Sequence, residues 1–210
     1  SREMLQNNPV ISKIKTGITN KILNELKIFA DKENDSYLKF WSNFGSVIKE
    51  GLYESNDHHE KLLNLLRFQT SESDNLISLD DYLAKIKPEQ KEIYYFANID
   101  KDHIKNSPQL EAFTANKIPV LFMTDAVDEF WLQNVTKFKE KNFKSITKGK
   151  IDIPNSKNKK DDKKNKNNKI NDLINVIKNE LKDKISDVII SNRLTRSPIL
   201  LVAEESAMDI

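Results

Sequence analysis

The stretch IYYFANIDKDHIKNSPQLEAFTANKIPVLFM, residues 93–123, carries the strongest indication of the fold class. Residues 93–97 and 120–123 are short runs rich in aromatic and aliphatic side chains, as in buried strands. Residues 107–116 between them have a helical pattern. A strand–helix–strand order predicts a βαβ unit with two parallel strands, because a parallel pair needs a crossover connection.

A layer of helices is predicted before this unit. Apolar residues recur three and four positions apart from Val10 to Phe29, which predicts one apolar face of a long helix. A second helix is expected after residues 35–36, stopping near Gly51, a residue that favours helix ends. Its predicted inward side chains are Tyr37, Phe40, Trp41, Phe44, Val47 and Ile48.

The next segment is predicted to contain two shorter helices. One is expected after residues 56–57 and includes Phe68. Residues 71–78 form a polar loop in this interpretation. Ser78 is followed three residues later by Asp81, the spacing of a capping box that starts a short helix.

Further elements are predicted after the βαβ unit. Residues 127–135 and 170–181 have helical periodicity, while residues 143–147, 188–191 and 199–203 are strand-like.

The predicted fold class is α/β, with a helical layer and a small, partly parallel sheet followed by a truncated second α/β unit. Residues 154–169, PNSKNKKDDKKNKNNK, have no apolar side chain apart from the proline and are interpreted as a linker or solvated loop. The linker separates two predicted domains, residues 1–153 and residues 170–210.

Composition narrows the class of protein. The mean hydropathy is −0.63, and no apolar run is long enough to span a bilayer, so we expect a soluble protein without a membrane partner. The absence of cysteine excludes disulfides, thiol catalysis and thiolate metal sites, and it fits the expected cytoplasmic location. The formal net charge of +2 does not indicate nucleic acid as a partner of the whole chain.

Catalytic and metal-binding patterns are weak. His58 and His59 are adjacent, and neighbouring side chains on a helix point about 100° apart, which disfavours a shared metal. His103 is isolated, and the four glycines do not form a phosphate-binding loop. We therefore expect no metal site, no cofactor in this chain and no enzyme activity from it alone.

The lysine-rich run at residues 157–169 offers an alternative function. Its charge could attract nucleic acid by counterion release, which would make the chain a basic nucleic-acid-associated module. The run has no aromatic residues for base stacking, and Asp161 and Asp162 interrupt it.

Arginine is rare among the cations, and Arg2 has a polar neighbour at helical spacing. Arg2 and Gln6 are four residues apart and would share one helix face. A planar guanidinium there could bind a phosphate group, or it could be a solvated terminal side chain. Arg193, near the end of the chain, is interpreted as part of a structural turn before Pro198.

Residues 128–131 combine two acids with two aromatic rings. Asp128 and Glu129 would lie in the first turn of a helix, and Phe130 and Trp131 follow directly. Adjacent positions cannot both face one core, so one ring could be partly exposed and bind apolar, unfolded segments. The alternative is that both rings pack against the domain or its neighbour.

Seven motifs follow one another over nearly the whole chain: SREMLQ, KFWSNFGSVIKEGLYE, LLRFQTS, ISLDDYLAKIKPEQKEIYYFANID, SPQLEAF, PVLFMTDAVDEF and SNRLTRSPILLV. In this order they resemble the heat-shock protein 90 family of chaperones, in its bacterial type. The resemblance implies that the chain is the end of a middle domain followed by the start of a C-terminal dimerisation domain, with an upstream ATP-binding domain in the parent protein.

The resemblance also implies roles for individual residues. Arg2 matches the family arginine that reaches the ATP γ-phosphate in the closed homodimer, and Gln6 matches its polar neighbour. Residues 128–131 match the client-contacting surface, with Phe130 at the position where bacterial relatives often have tryptophan. Met208 lies where a second, amphipathic client-binding segment begins. The implied ligands are ATP with Mg²⁺ in the parent, and the implied partners are unfolded or partly folded client proteins and a second copy of the chain.

Overall fold

The computed structural model describes residues 8–54, 56–149, 151, 153 and 167–204. Its α-helices are α1 (Pro9–Lys32), α2 (Asn34–Glu54), α3 (His59–Leu63), α4 (Leu79–Lys85), α5 (Lys101–Asn106), α6 (Glu111–Ala115), α7 (Asp128–Asn134) and α8 (Asn167–Leu181). Its strands are β1 (Phe68–Thr70), β2 (Ser73–Ile77), β3 (Glu92–Ala97), β4 (Leu121–Met123), β5 (Lys137–Phe138) and β6 (Lys141–Ser145). Within the described residues, no helix has the length and apolarity needed to cross a membrane.

The six strands form one mixed sheet in the order β2-β1-β4-β3-β6-β5. Strands β3 and β4 are parallel, with Tyr95 opposite Leu121, and β3 is also parallel to β6. The other pairs are antiparallel. The predicted βαβ unit and the α/β fold class are therefore confirmed.

The two central strands present alternate side chains to two hydrophobic cores. Ile93, Tyr95 and Ala97 of β3 face the core shared with α1, α2, α4 and α7. Tyr94 and Phe96 face a second core built with α5, α6 and the chain after β6. Because successive strand residues point to opposite faces, one buried sheet can lie between two helical layers.

Local signals in the sequence explain several helix starts. The Asn8 side chain accepts a hydrogen bond from the backbone N–H of Val10 at 2.9 Å and caps α1. At α4, the Ser78 hydroxyl accepts from the N–H of Asp81 at 3.0 Å, and the Asp81 carboxylate accepts from the N–H of Ser78 at 3.1 Å. The predicted capping box is confirmed.

The second predicted helix differs from α2 at its end and on its surface. Gly51 does not stop the helix, which continues to Glu54 and buries Leu52. Gly51 instead makes room for the Leu62 side chain, which lies 3.3 Å from where a Cβ atom would stand. Phe44 and Val47 were predicted to face inward but are more than half exposed, because α2 turns the face of Trp41, Gly45 and Lys49 to the core.

Four further predictions about secondary structure were wrong. Phe68 begins β1 rather than continuing a helix, and the predicted polar loop contains β2, paired with β1 through Phe68 and Ile77. Residues 188–191 and 199–203 are not strands. Among the described residues 188–203, only Ala203 takes part in strand-like pairing, through a single parallel bridge to Lys148. The helix expected at 170–181 is present as α8.

The segment Arg193–Ala203 is attached to the second core by side chains. Arg193 is buried and donates to the Gln109 side-chain oxygen at 2.7 Å and to the Ile146 carbonyl at 3.3 Å. The Glu111 carboxylate accepts from three consecutive backbone N–H groups, at residues 195–197, at 2.7 to 3.2 Å, and from the hydroxyls of two of these residues.

Candidate functional site

Helix α7 contains the four consecutive residues predicted to form a client-contacting surface. It begins shortly after β4 and packs on the core beside α2. The four side chains do not share one environment. Asp128 and Trp131 are fully buried, Glu129 is half-buried and Phe130 is 46% exposed.

Asp128 is the polar centre of the inner face of α7. Its carboxylate accepts from Lys49 Nζ at 2.9 Å, from the Trp131 indole N–H at 2.8 Å and from the backbone N–H of Asp125 at 3.1 Å. Burial raises the pKa of Asp128, and the attraction of Lys49 and these hydrogen bonds oppose the rise. The three donors compensate the carboxylate for its lost water, so that it can sit inside the core.

Lys49, on α2, is the cation that pairs with Asp128 and so connects α2 to α7. Its ammonium group is buried, pairs with Asp125 at 2.7 Å as well as with Asp128, and lies 4.8 Å from the centre of the Phe68 ring. Two carboxylates and an aromatic face surround one cation, which is the arrangement that a buried ammonium group requires. The two ion pairs therefore fix the position of α7 relative to α2.

The outer face of α7 carries the exposed ring. Phe130 lies edge-to-face with Tyr53 at the end of α2, with ring centres 6.3 Å apart. Trp131 points inward and meets Phe143 edge-to-face at 5.6 Å. The sequence left open which aromatic ring is exposed, and the structure places Phe130 outside and Trp131 inside.

The other predicted site residues cannot be compared with this geometry. Arg2, Gln6 and Met208 lie outside the described residues, as does most of the lysine-rich run. In the part of the chain that the structure describes, no group of three His, Asp or Glu side chains could hold a metal ion.

Sequence reasoning missed two residues of this site, Lys49 and Tyr53. Lys49 did carry a signal, because it follows Trp41 and Gly45 at intervals of four residues, on the face that α2 buries. A lysine at such a position requires a buried partner. Tyr53 lay beyond the predicted helix end at Gly51, so no periodicity placed it beside α7.

Comparison with known proteins identifies the family. The model of the Hsp90 protein family matches residues 1–209, and the chain therefore belongs to the Hsp90 family. The resemblance inferred from the sequence motifs is confirmed. Membership favours a chaperone over the nucleic-acid-associated module considered above.

Several relatives are named Chaperone protein HtpG. The protein of Roseobacter denitrificans is 45% identical over the whole chain, that of Orientia tsutsugamushi is 40% identical and that of Wolbachia pipientis is 39% identical. The chain spans about a third of the length of these relatives, 34 to 35%.

Proposed function

We propose that this chain contributes a client-binding surface to an ATP-dependent chaperone, and that Phe130 is the contact residue of α7. Membership of a chaperone family and the 46% exposure of Phe130 beside a fully buried tryptophan support the proposal. An exposed aromatic ring on a fixed helix can bind apolar segments that a folded client would bury.

The buried neighbours of Phe130 have a different role in this proposal. Asp128 and Trp131 lie under the surface, where the Asp128 carboxylate accepts from the Trp131 indole N–H and from Lys49, so they position the helix. A rigid support reduces the entropy lost when a partner binds. Glu129 lies in the same turn, and Met208 would extend the surface in the C-terminal part of the chain.

Suppression of client aggregation tests this proposal. The chain should slow the aggregation of a thermally unfolded client, and Phe130→Ala should remove most of that effect. Phe44→Ala is the matched control, because Phe44 is also a half-exposed phenylalanine, on α2. Equal loss in both variants, or none in Phe130→Ala, would contradict the assignment.

The second part of the proposal concerns ATP. Arg2, with Gln6 as its polar neighbour in the site, would contact the γ-phosphate of ATP bound with Mg²⁺ in a separate nucleotide-binding domain of a cytoplasmic, homodimeric protein. A guanidinium is always charged and can donate two parallel hydrogen bonds, which suits the charge that develops during phosphoryl transfer. Support comes from the SREMLQ motif at residues 1–6 and from family membership.

Steady-state ATP hydrolysis tests the role of Arg2 in a protein that also contains the nucleotide-binding domain. Arg2→Ala should abolish most of the turnover and leave nucleotide binding intact, and Arg2→Lys should restore only a small part of it. Lys13→Ala, a charge removal on α1, is the control. Unchanged turnover in Arg2→Ala would contradict the role.

A further inference from the structure

We propose that Tyr53 is a second client contact beside Phe130, and that the acidic surroundings of this aromatic pair select unfolded segments that combine apolar and basic residues. The inference rests on the proposed client-binding function of α7. It adds Tyr53, a residue of α2, to the proposed surface, and it adds a preference for clients with basic residues.

The two rings form one exposed feature at the junction of α2 and α7. Tyr53 is 58% exposed and Phe130 is 46% exposed, and their ring planes meet at 72°. The Asn134 side chain donates to the Tyr53 carbonyl at 3.4 Å, which ties the end of α7 to the end of α2. Two adjacent half-exposed rings offer a larger apolar contact than either ring alone.

The helices are held together directly beneath this pair. Lys49 lies one turn before Tyr53 on α2 and bonds Asp128, which is two residues before Phe130 on α7. These bonds are buried, so the spacing of the two rings is set before a client arrives. A preformed aromatic platform binds with a smaller entropic cost than one that must assemble.

The exposed charge around the pair is mainly acidic. Residues 50–57 contain Glu50, Glu54 and Asp57 but no lysine or arginine. Residues 125–135 also lack lysine and arginine and contain Glu129, together with Asp125 and Asp128, which both pair with the buried Lys49. The chain as a whole has 34 Lys and Arg residues against 32 acids, so the absence of both from these two segments is a local property. Glu50 and Glu54 are exposed and flank Tyr53 along α2.

Carboxylates beside exposed rings favour one kind of partner. A lysine or arginine side chain can lay its methylene groups on a ring while its charged end approaches a carboxylate. Cations are also attracted to the faces of aromatic rings, whereas an acidic segment would be repelled. The expected occupant is therefore an unfolded segment with apolar residues and several lysines or arginines.

Peptide binding to the chain measures both parts of the inference. The probes are two fluorescein-labelled unfolded peptides that share their apolar residues and differ only in carrying lysines or glutamates. Fluorescence anisotropy gives the dissociation constant of each peptide for the wild type, Tyr53→Ala, Tyr53→Phe and Phe130→Ala. Phe44→Ala controls for loss of an exposed ring, since Phe44 is 51% exposed and stacks on Phe40.

The charge preference needs its own variants. Glu50→Gln combined with Glu54→Gln removes two carboxylates beside Tyr53. Glu33→Gln combined with Glu89→Gln removes two exposed carboxylates elsewhere and is the matched control. The lysine peptide should bind the wild type several-fold more tightly than the glutamate peptide at low salt. This ratio should fall in the first double variant and at high ionic strength, because salt screens exposed charges.

The aromatic variants give the main result. Tyr53→Ala and Phe130→Ala should each weaken binding of the lysine peptide by about tenfold, the usual loss for an aromatic residue at the centre of an interface. Tyr53→Phe should bind like the wild type, since the ring makes the contact. Phe44→Ala should stay within about twofold of the wild type.

The outcomes separate this inference from the proposed function. If Phe130→Ala weakens binding and Tyr53→Ala does not, Tyr53 is not a contact and the client surface at α7 stands. Equal affinity for the two peptides at low salt would overturn the charge preference. If neither aromatic variant weakens binding, or if neither peptide binds, the proposed client surface fails together with the inference.

Discussion

Helix α7 and the segment Arg193–Ala203 are attached on opposite sides of the sheet, over the two hydrophobic cores, and the two attachments differ in burial. Helix α7 is held on one side by Lys49 and Asp128, which are both buried. The segment Arg193–Ala203 is held on the other side by the buried Arg193, which donates to Gln109, and by the half-buried Glu111, which accepts from backbone N–H groups nearer the surface. Both attachments are polar, and they differ in how far water is excluded from them.

The difference in burial predicts that breaking the two attachments costs different amounts of folding free energy. A buried carboxylate that loses its cation cannot regain water, so the cost of breaking the pair is large. Backbone N–H groups near the surface can bond to water instead, so the cost of losing their acceptor is smaller and local. We therefore expect disruption of the α7 attachment to destabilise the whole fold. Disruption of the other attachment should release residues 193–203 locally while the rest of the chain stays folded.

The largest effect is expected from Lys49→Met. This change leaves Asp128 buried without its cation and should lower the free energy of unfolding by about 3–5 kcal/mol. Urea unfolding followed by circular dichroism measures the loss. Lys21→Met, which removes an exposed partner of Glu25, is the control and should leave stability unchanged within error. A loss below about 1 kcal/mol in Lys49→Met would contradict the buried pair.

A smaller loss is expected from Trp131→Phe. The variant keeps an aromatic ring in the core but removes the indole N–H that donates to Asp128 at 2.8 Å. The lost hydrogen bond to a charged group and the space left by the smaller ring should together lower stability by about 2–3 kcal/mol. Thermal unfolding checks this, and a stability equal to the wild type would mean that Asp128 does not depend on the indole.

On the other side of the sheet, Arg193→Met should have a more limited effect. It leaves the Gln109 side-chain oxygen and the Ile146 carbonyl without their donor, at a cost of about 1–3 kcal/mol. Hydrogen exchange is compared between Arg193→Met and the wild type. The substitution should accelerate exchange at residues 193–203 and leave exchange in β3 and β4 nearly unchanged. Uniform acceleration across the sheet would contradict a local attachment.

The smallest effect concerns Glu111 and depends on pH. Hydrogen bonds from Ser197, Arg196 and Thr195 lower the pKa of Glu111 to about 2, from an ordinary value of 4.5. Because the folded pKa is the lower one, the carboxylate stabilises the attachment above about pH 4.5, and this contribution is lost as the pH falls toward 2.

Limited proteolysis across this pH range, with an acid-active protease, measures the attachment. Cleavage within residues 193–203 should increase on acidification in the wild type. Glu111→Gln should be cleaved readily at every pH, because a neutral amide binds the three N–H groups less strongly. An acid response that persists in Glu111→Gln would point to another titrating group.

The sequence predicted the parts of the fold that depend on local patterns. The apolar runs of β3 and β4, the crossover between them and the capping box at Ser78 all follow from short-range signals. The short strands β1 and β2 carry no such signal, because β2 is half exposed and is fixed by pairing with β1. Residues 199–203 were apolar enough to be predicted as a strand. Within them, only Ala203 forms a β-bridge, to Lys148 just after β6.

The candidate site was predicted in position but not in detail. The acids and rings of α7 could be identified from residues 128–131 alone. The orientation of the helix could not, because it depends on Lys49, 79 residues away from Asp128 in the chain. A contact of this length is decided by tertiary packing. For the same reason Tyr53 had no sequence signal that placed it beside Phe130.

Site-specific photo-crosslinking tests directly whether Phe130 contacts an unfolded client. A benzophenone amino acid is placed at position 130 in one variant and at position 44 in another, and each is irradiated with an unfolded client. We expect strong crosslinking from position 130 and little from position 44, although both side chains are about half exposed. Equal crosslinking from the two positions, or none from position 130, would contradict a client-binding surface on α7.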